Sequence, residues 1–295
     1  MPWWQFSISC ETSELEQVED LLFELGAASI SLADAGDEPL YEPLPGHSPV
    51  WQESIITGMF NDANHETIYH RLLAELPQHL LSSLRQQRLE EQDWEQAYKA
   101  HFKPIRFGDR LWIVPDWCEP PDTDAAVVTL DPGLAFGTGS HPTTALCLEW
   151  LGNNDISDCD AIDYGCGSGI LAIAACKLGA RRVLAVDIDP QALTASKLNA
   201  GNNSISDEQI EISLPEAMSH EPVALLMANI LSGPLVRFAP KFADLVKPGG
   251  QILLSGILAS QLNDIQSAYQ PYFILDQANQ QQDWIAISGT RKGNC

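Results

Sequence analysis

The chain has 295 residues, 45% of them apolar, which is enough to fill two hydrophobic cores, and it carries a formal net charge of −24 at pH 7. Such a surface repels a phosphate backbone and attracts a basic partner, so direct nucleic-acid binding is not expected. No apolar run approaches the roughly 18 residues of a membrane span, Met1-Pro2-Trp3-Trp4-Gln5 gives no expectation of a signal peptide, and seven scattered cysteines without a Cys-x-x-Cys pair suit reduced thiols in the cytoplasm.

Residues 1–89 read as a small α+β domain. Residues 3–9 alternate as a strand does. Ser13 and Glu16 stand at capping-box spacing, opening a helix with Leu15, Val18, Leu22 and Leu25 on one face and Gly26 as its stop. Residues 28–32 form a second strand, followed by an acidic loop over 34–49 and a third strand over 51–60. A second helix over 66–76 stops before Pro77, and residues 84–89 form a fourth strand. The order βαββαβ is ferredoxin-like. Acid is concentrated here: residues 1–100 hold 4 Lys and Arg against 18 Asp and Glu, whereas the remaining 195 hold 12 against 22. A basic partner explains that bias, and so does plain solubility.

Residues 90–102 are polar, charged and helical in character, and read as a linker to a second domain over 103–295. A strand over 110–115 is followed by a helix over 143–151. Next comes Ile162-Asp163-Tyr164-Gly165-Cys166-Gly167-Ser168-Gly169: a short apolar strand, an acid, three alternate glycines, and then the helical run from Ile170. A further strand over 183–186 ends in Asp187. Asp189-Pro190 has the form of a helix cap and first residue, opening a helix over 190–202. A buried strand over 223–228 precedes a helix over 235–246, which Lys247-Pro248-Gly249-Gly250 stops. Strands over 251–255 and 284–288 complete a seven-stranded pattern with an antiparallel hairpin at its end.

Strand, glycine turn, helix, strand and terminal acid are the layout of a nucleotide-type cofactor site at the carboxyl edge of a parallel sheet. The glycines follow Gly-x-Gly-x-Gly, not the Gly-x-Gly-x-x-Gly that seats a pyrophosphate at a helix N-terminus. S-adenosylmethionine (SAM) has no phosphate and needs close backbone approach, which Gly165, Gly167 and Gly169 supply. Asp187 stands where a carboxylate accepts both ribose hydroxyls. An ordinary strand-turn-helix with a solvated Asp187 is the plainer reading. The seven histidines show no metal-ligand spacing, and no metal is expected.

The string Leu130-Asp131-Pro132-Gly133-Leu134-Ala135-Phe136-Gly137-Thr138-Gly139-Ser140-His141-Pro142-Thr143-Thr144 is far more distinctive than the glycine turn. Together with that turn, Asn229-Ile230-Leu231 and Leu254-Ser255-Gly256-Ile257-Leu258, it resembles the bacterial methyltransferases that modify large ribosomal subunit protein 11. The resemblance spans the whole chain. It implies a class I, Rossmann-like methyltransferase domain behind a ferredoxin-like substrate-recognition domain, with methyl groups passing from SAM to lysine side-chain amines and the N-terminal amine of that protein, free or on the ribosome. It places SAM contacts on Thr144, Gly165, Asp187 and Asn229. Small departures are Ser140, Tyr164 and Ser232, where threonine, phenylalanine and alanine are common.

Asn229, at the end of its strand, has an amide oxygen that can orient an amine, or it caps the next helix. Phe136 walls the pocket or belongs to a core. Thr144 holds the methionine end of SAM or caps a helix, and His141 is a general base or part of a rigid turn. The acidic surface makes a monomer the default. An RNA methyltransferase would share the glycine turn but lacks support from the charge, and a non-catalytic SAM-binding ribosome-assembly module would bind without turnover.

Overall fold

Alternation along β1 (Trp3–Glu11) buries Phe6, Ile8 and Cys10 on one face, which begins the core of the first unit. In the computed structural model the described residues are 3–36, 51–61, 64–89, 103–121, 124–130, 141–218 and 221–293. Contacts divide the chain into two compact units, Met1–Tyr98 and Lys99–Cys295. The expected linker over 90–102 lies outside the described residues, as does most of the loop expected over 34–49.

In the first unit β1 lies between β3 (Glu53–Asn61) and β4 (Arg85–Leu89), antiparallel to both, and β2 (Ser29–Asp34) pairs with β3. The order β2-β3-β1-β4 is that of a ferredoxin-like sheet. Helices α1 (Leu15–Glu24) and α2 (His65–Glu75) send Val18, Leu22, Ile68 and Leu72 into one cluster with Phe6, Ile8, Ile56 and Phe60. Gly26, at φ +86°, ends α1. The cap at the other end differs from expectation. Strand β1 runs on to Glu11, a 3-10 turn over Thr12–Glu14 follows, and Glu14 Oε2 accepts the Glu11 N–H at 3.2 Å. The reciprocal cap therefore joins Glu11 and Glu14, not Ser13 and Glu16, because the longer strand moves the start of the turn.

The second unit opens with a three-stranded sheet of β5 (Ile105–Phe107), β6 (Leu111–Pro115) and β7 (Ala126–Leu130), the last two parallel. Gly108, at φ +55°, makes the turn between β5 and β6, and its N–H donates to Glu149 Oε2 at 2.9 Å. Glu149 lies on α3 (Pro142–Asn153), whose Gly152 touches this turn so closely that a Cβ would stand 2.2 Å from the Phe107 carbonyl oxygen.

The main sheet has the order β10-β9-β8-β11-β12-β15-β13, with β14 paired to β15. Strands β8 (Asp160–Tyr164), β9 (Arg182–Val186), β10 (Ile210–Ser213), β11 (Val223–Asn229) and β12 (Val246–Leu258) are parallel. β15 (Trp284–Arg291) runs antiparallel to β12, and pairs in the same sense with β13 (Phe273–Leu275) and β14 (Asn279–Gln281). This is the arrangement of a class I methyltransferase sheet. Near-continuous burial along β8, β9 and β11 reflects cover on both faces. One core cluster holds α3 and α4 (Ile170–Lys177), and the other holds α6 (Ser232–Leu245) and α7 (Leu262–Tyr269).

Two boundaries differ from the sequence reading. Helix α6 starts at Ser232 and keeps Pro240 inside it; Pro240 is on the exposed side, where water can take the carbonyl it frees. Val246 is already strand, paired with Val223, so β12 continues through Lys247-Pro248-Gly249-Gly250 with a register shift between Val223 and Leu225 of its partner.

Gly152→Ala is expected to lower the stability of the chain by about 3 kcal/mol, the range of an overpacked core, since both backbones at the contact belong to secondary structure. Urea unfolding measures it, and a change under about 0.5 kcal/mol, the range of surface substitutions, would contradict the contact.

Candidate active site

The carboxyl ends of β8, β9 and β11 meet where the glycine turn begins. Gly165, Gly167 and Gly169 have φ of +83°, +54° and +79°, conformations that side chains with a Cβ rarely adopt. The turn uses its own donors. Gly165 N–H and Cys166 N–H both donate to the Val186 carbonyl at 2.7 and 3.0 Å, Gly169 N–H donates to the Cys166 carbonyl at 2.8 Å, and Gly167 N–H donates to Asp187 Oδ2 at 2.9 Å. Four N–H groups that a pyrophosphate would need are therefore occupied, which fits a phosphate-free ligand and not a dinucleotide.

The turn is pinned from behind by α5 (Pro190–Asn202). Ser196 Oγ donates to the Gly167 carbonyl and Asn199 Nδ2 to the Ser168 carbonyl, each at 2.9 Å. Asp189 caps α5, accepting from Gln191 N–H at 2.8 Å, as its Asp-Pro pairing predicts. Just past the helix, Asn203 donates to the Thr129 carbonyl and accepts the Thr129 N–H, both at 2.7 Å, so its amide joins β7 to α5 as a strand residue would. Ser196, Asn199 and Asn203 carry no motif that sequence reading could use; their partners are between 29 and 74 residues away.

Asp187 lies at the tip of β9. Its Oδ2 is held by Gly167 and its Oδ1 accepts the Asp189 N–H at 3.0 Å, which fixes the carboxylate plane while leaving each oxygen a further lone pair. Beside it opens a cavity of about 620 Å³, lined by Gly165, Gly167, Asp187, Ile188, Pro215 and Phe238 among others. That volume fits a nucleoside-sized ligand, and a carboxylate with apolar walls suits a ribose and a base. Tyr164 forms part of the same wall; its hydroxyl accepts from Lys241 Nζ at 2.9 Å, a bond that phenylalanine could not make.

Thr144 and Asn229 come together from α3 and β11: Asn229 Nδ2 donates to Thr144 Oγ1 at 3.2 Å. With the amide nitrogen so engaged, the amide oxygen is left to accept. The next residue, Ile230, is held on two sides. A Cβ on Gly165 would stand 2.2 Å from Ile230 Cγ2, and one on Gly256 would stand 2.3 Å from the Ile230 carbonyl oxygen. Ser255 Oγ lies within 3.1 Å of the carbonyls of Thr143 and Ile285, anchoring the first turn of α3 to the sheet. The two short strings at 229–231 and 254–258 thus meet in space.

His141 is the N-cap of α3. Its Nδ1 accepts from Thr143 N–H at 3.3 Å and lies 2.8 Å from Thr143 Oγ1, and its ring packs edge-on to Trp284 at 5.2 Å. The accepting Nδ1 requires the proton of a neutral ring to sit on Nε2, an arrangement that serves the cap rather than proton abstraction. Burial lowers its pKa. Phe136 lies outside the described residues. Among the described residues no group of three or more His, Cys, Asp or Glu side chains could hold a metal ion.

Asp163 stands on β8, two residues before Gly165. It is 1% exposed, its Oδ2 accepts the Ala172 N–H at 3.0 Å, and its Oδ1 has no hydrogen-bond partner among the described residues. Burial, with a smaller push from Asp187, raises its carboxyl pKa to about 7.

The chain as a whole is similar to known proteins. The family model described as Ribosomal protein L11 methyltransferase (PrmA) matches residues 2–292. The chain is 47% identical over 300 residues to the ribosomal protein L11 methyltransferase of Marinobacter nauticus, covering 99% of each chain. It is 45% identical over 299 residues to that of Pseudomonas aeruginosa, covering 100% of each. Among solved structures it resembles the ribosomal protein L11 methylase from Lactobacillus delbrueckii subsp. bulgaricus, with 36% identity and a TM-score of 0.58 over 65% of this chain and 100% of that one.

Because the folded pKa of Asp163 lies above its unfolded value near 3.8, ionisation favours the unfolded chain. The ligand-free fold accordingly loses stability as pH rises from about 4 to about 7, and loses no more above that. Asp163→Asn keeps an acceptor for Ala172 and removes the penalty. Its stability relative to the parent should grow over that window by a few kcal/mol, at ~1.4 kcal/mol per unit, and then level off. Urea unfolding at several pH values reads this directly; a pH-independent difference would be the contrary result.

Proposed function

The chain belongs to the ribosomal protein L11 methyltransferase family and is a SAM-dependent protein methyltransferase; from that premise we propose that it methylates lysine side-chain amines and the N-terminal amine of ribosomal protein L11. The observation that carries this reading is the convergence of the glycine turn, the oriented Asp187 carboxylate and the Thr144–Asn229 pair at one sheet edge. Asp187 takes the ribose hydroxyls, and Gly165, Gly167 and Gly169 let the ligand lie against the backbone. Thr144 and Asn229 face the methionine end and the incoming amine.

SAM supplies an activated methyl group on a sulfonium whose departure needs no acid. The protein's contribution is to hold an amine lone pair in line behind that methyl group. The amine must be neutral. A free lysine, with pKa near 10.4, costs about 4.6 kcal/mol to deprotonate at pH 7, and an α-amine near 8 costs about 1 kcal/mol, at ~1.36 kcal/mol per unit. An uncharged slot lowers the lysine cost by disfavouring the ammonium. Asn229 meets that need because its amide oxygen accepts an amine N–H without the full negative charge that would stabilise the protonated form. The acid-rich first unit instead recruits a basic protein. The enzyme works as a cytoplasmic monomer and does not bind nucleic acid directly.

Incubation with labelled SAM and ribosomal extract should label one small basic protein in a manner insensitive to ribonuclease. Label that ribonuclease removes would point to an RNA substrate, and SAM bound without release of S-adenosylhomocysteine would point to a non-catalytic module. Asp187→Ala should weaken SAM binding by about 100-fold or more, the scale of two charge-assisted hydrogen bonds, with the circular dichroism spectrum unchanged. Calorimetric affinity within threefold of the parent would remove Asp187 from the site.

A further inference from the structure

Tyr164 brings a polar group to an otherwise apolar part of the cavity wall. It pairs in register with Val186, so the two side chains leave β8 and β9 on one face of the sheet, and both line the cavity. Tyr164 is 6% exposed, and its ring is fixed by edge-on contacts with Phe238 and Phe242 of α6, at 5.5 and 5.0 Å between centres. Lys241, on the same helix, donates to the phenol oxygen at 2.9 Å, and its Nζ lies 4.8 Å from the centre of the ring. An ammonium group can only donate, so it occupies a lone pair of that oxygen and leaves the phenol proton unused. Among the described residues nothing accepts that proton. A buried hydroxyl of this kind normally has an acceptor. Here the ring is held, a cation polarises the oxygen, and the O–H is left for a ligand. Phenylalanine would fill the same space without the donor.

This inference rests on the SAM site proposed above. With the ribose diol on Asp187, the base occupies the apolar part of the cavity, beside Ile188, Pro215 and Phe238. Asp187 directly follows Val186, the residue paired with Tyr164, so the phenol and the ribose-binding carboxylate belong to adjoining positions of one strand pair. We propose that the Tyr164 O–H donates to a ring nitrogen of the adenine, and that Lys241 is the positioning residue that turns the proton toward the base. Adenine supplies the matching chemistry, since N1, N3 and N7 each carry an in-plane lone pair and no proton. Apolar walls select a flat ring of the right size; a buried donor selects an acceptor at one place on it. A base with C–H at that place leaves the donor unpaired and is rejected for that reason. The contact does not involve the sulfur, so it holds SAM and S-adenosylhomocysteine alike and adds to affinity rather than to the methyl-transfer step.

Calorimetry on the full chain tests this with S-adenosylhomocysteine and its 1-deaza, 3-deaza and 7-deaza analogues, each of which replaces one ring nitrogen with C–H. On the parent chain one of the three analogues should bind about tenfold more weakly than S-adenosylhomocysteine. Tyr164→Phe keeps the ring contacts and should weaken S-adenosylhomocysteine by a similar factor, while its affinity for that analogue stays within about twofold of the parent's. Lys241→Met should narrow the tenfold gap to about threefold, and should change nothing further in a chain that already carries Tyr164→Phe. Equal affinity of the parent for all four ligands would overturn the proposal. An equal loss for all four in Tyr164→Phe would do the same, because the hydroxyl would then serve only the shape of the wall. Discrimination that survives in Tyr164→Phe would assign the nitrogen to another group and overturn it too. Should Tyr164→Phe fail to fold, the gap on the parent and its narrowing in Lys241→Met still decide. Failure of S-adenosylhomocysteine to bind the parent would remove the SAM site and this contact with it, whereas binding without discrimination removes only the role of Tyr164.

Discussion

The enclosure of Ile230 between two glycines is the constraint on which the site depends. Strands β8, β11 and β12 are neighbours in the sheet, and each leaves its carboxyl end toward the same place. Gly165 after β8 and Gly256 within β12 both have positive φ, and neither leaves space for a Cβ against Ile230. The position of Ile230 fixes Asn229 before it, and Asn229 in turn meets Thr144 on α3. Ser255, beside Gly256, ties the same turn of α3 to the sheet. Packing at one aliphatic residue thus sets the height of three strand ends and one helix start relative to one another. Tight interiors transmit such settings because they do not deform smoothly.

The glycine turn is best understood through what its backbone already does. A phosphate cradle keeps its N–H groups turned outward to a charged ligand. Here they are turned inward to Val186, Cys166 and Asp187, and side chains of α5 hold the turn's carbonyls. What faces the cavity is shape, apolar walls and the Asp187 carboxylate, oriented at the tip of β9. A donor that carries cationic groups and a ribose diol suits that combination; an anionic cofactor does not.

Much of this was legible in the sequence because it is local. Alternation in residues 3–9 and the apolar runs of the second unit announce strands, Gly26 marks a helix end, and Asp189-Pro190 gives a cap that the structure contains. The Gly-x-Gly-x-Gly spacing separates one ligand class from another without coordinates. What escaped is set by partners far along the chain. Val246 belongs to β12 because Val223 is there to pair with it, despite the Pro-Gly-Gly that follows. Ser13 and Glu16 have the right spacing for a cap, yet the pairing of β1 with β3 extends the strand to Glu11 and shifts the turn. Leu254-Ser255-Gly256-Ile257-Leu258 was recognisable only as a string; its purpose is the contact with residues 143 and 230. The orphaned oxygen of Asp163 could not be read from sequence, since an acid before a glycine turn looks the same whether buried or solvated.

Asn203 shows how much can rest on one amide. It gives and takes a hydrogen bond at Thr129 and donates a third to the Asn199 carbonyl at 2.8 Å, all from a side chain that is 4% exposed. Asparagine followed by a small residue is prone to spontaneous hydrolysis, and Ser204 follows it here. Deamidation would replace the donating nitrogen with a second anionic oxygen, set against two carbonyls and buried where a charge is poorly tolerated. The bonds that hold this amide, together with the Ser204 N–H donating to the Gly201 carbonyl at 2.9 Å, keep the attacking backbone nitrogen engaged elsewhere, so the join protects itself for as long as it stays closed.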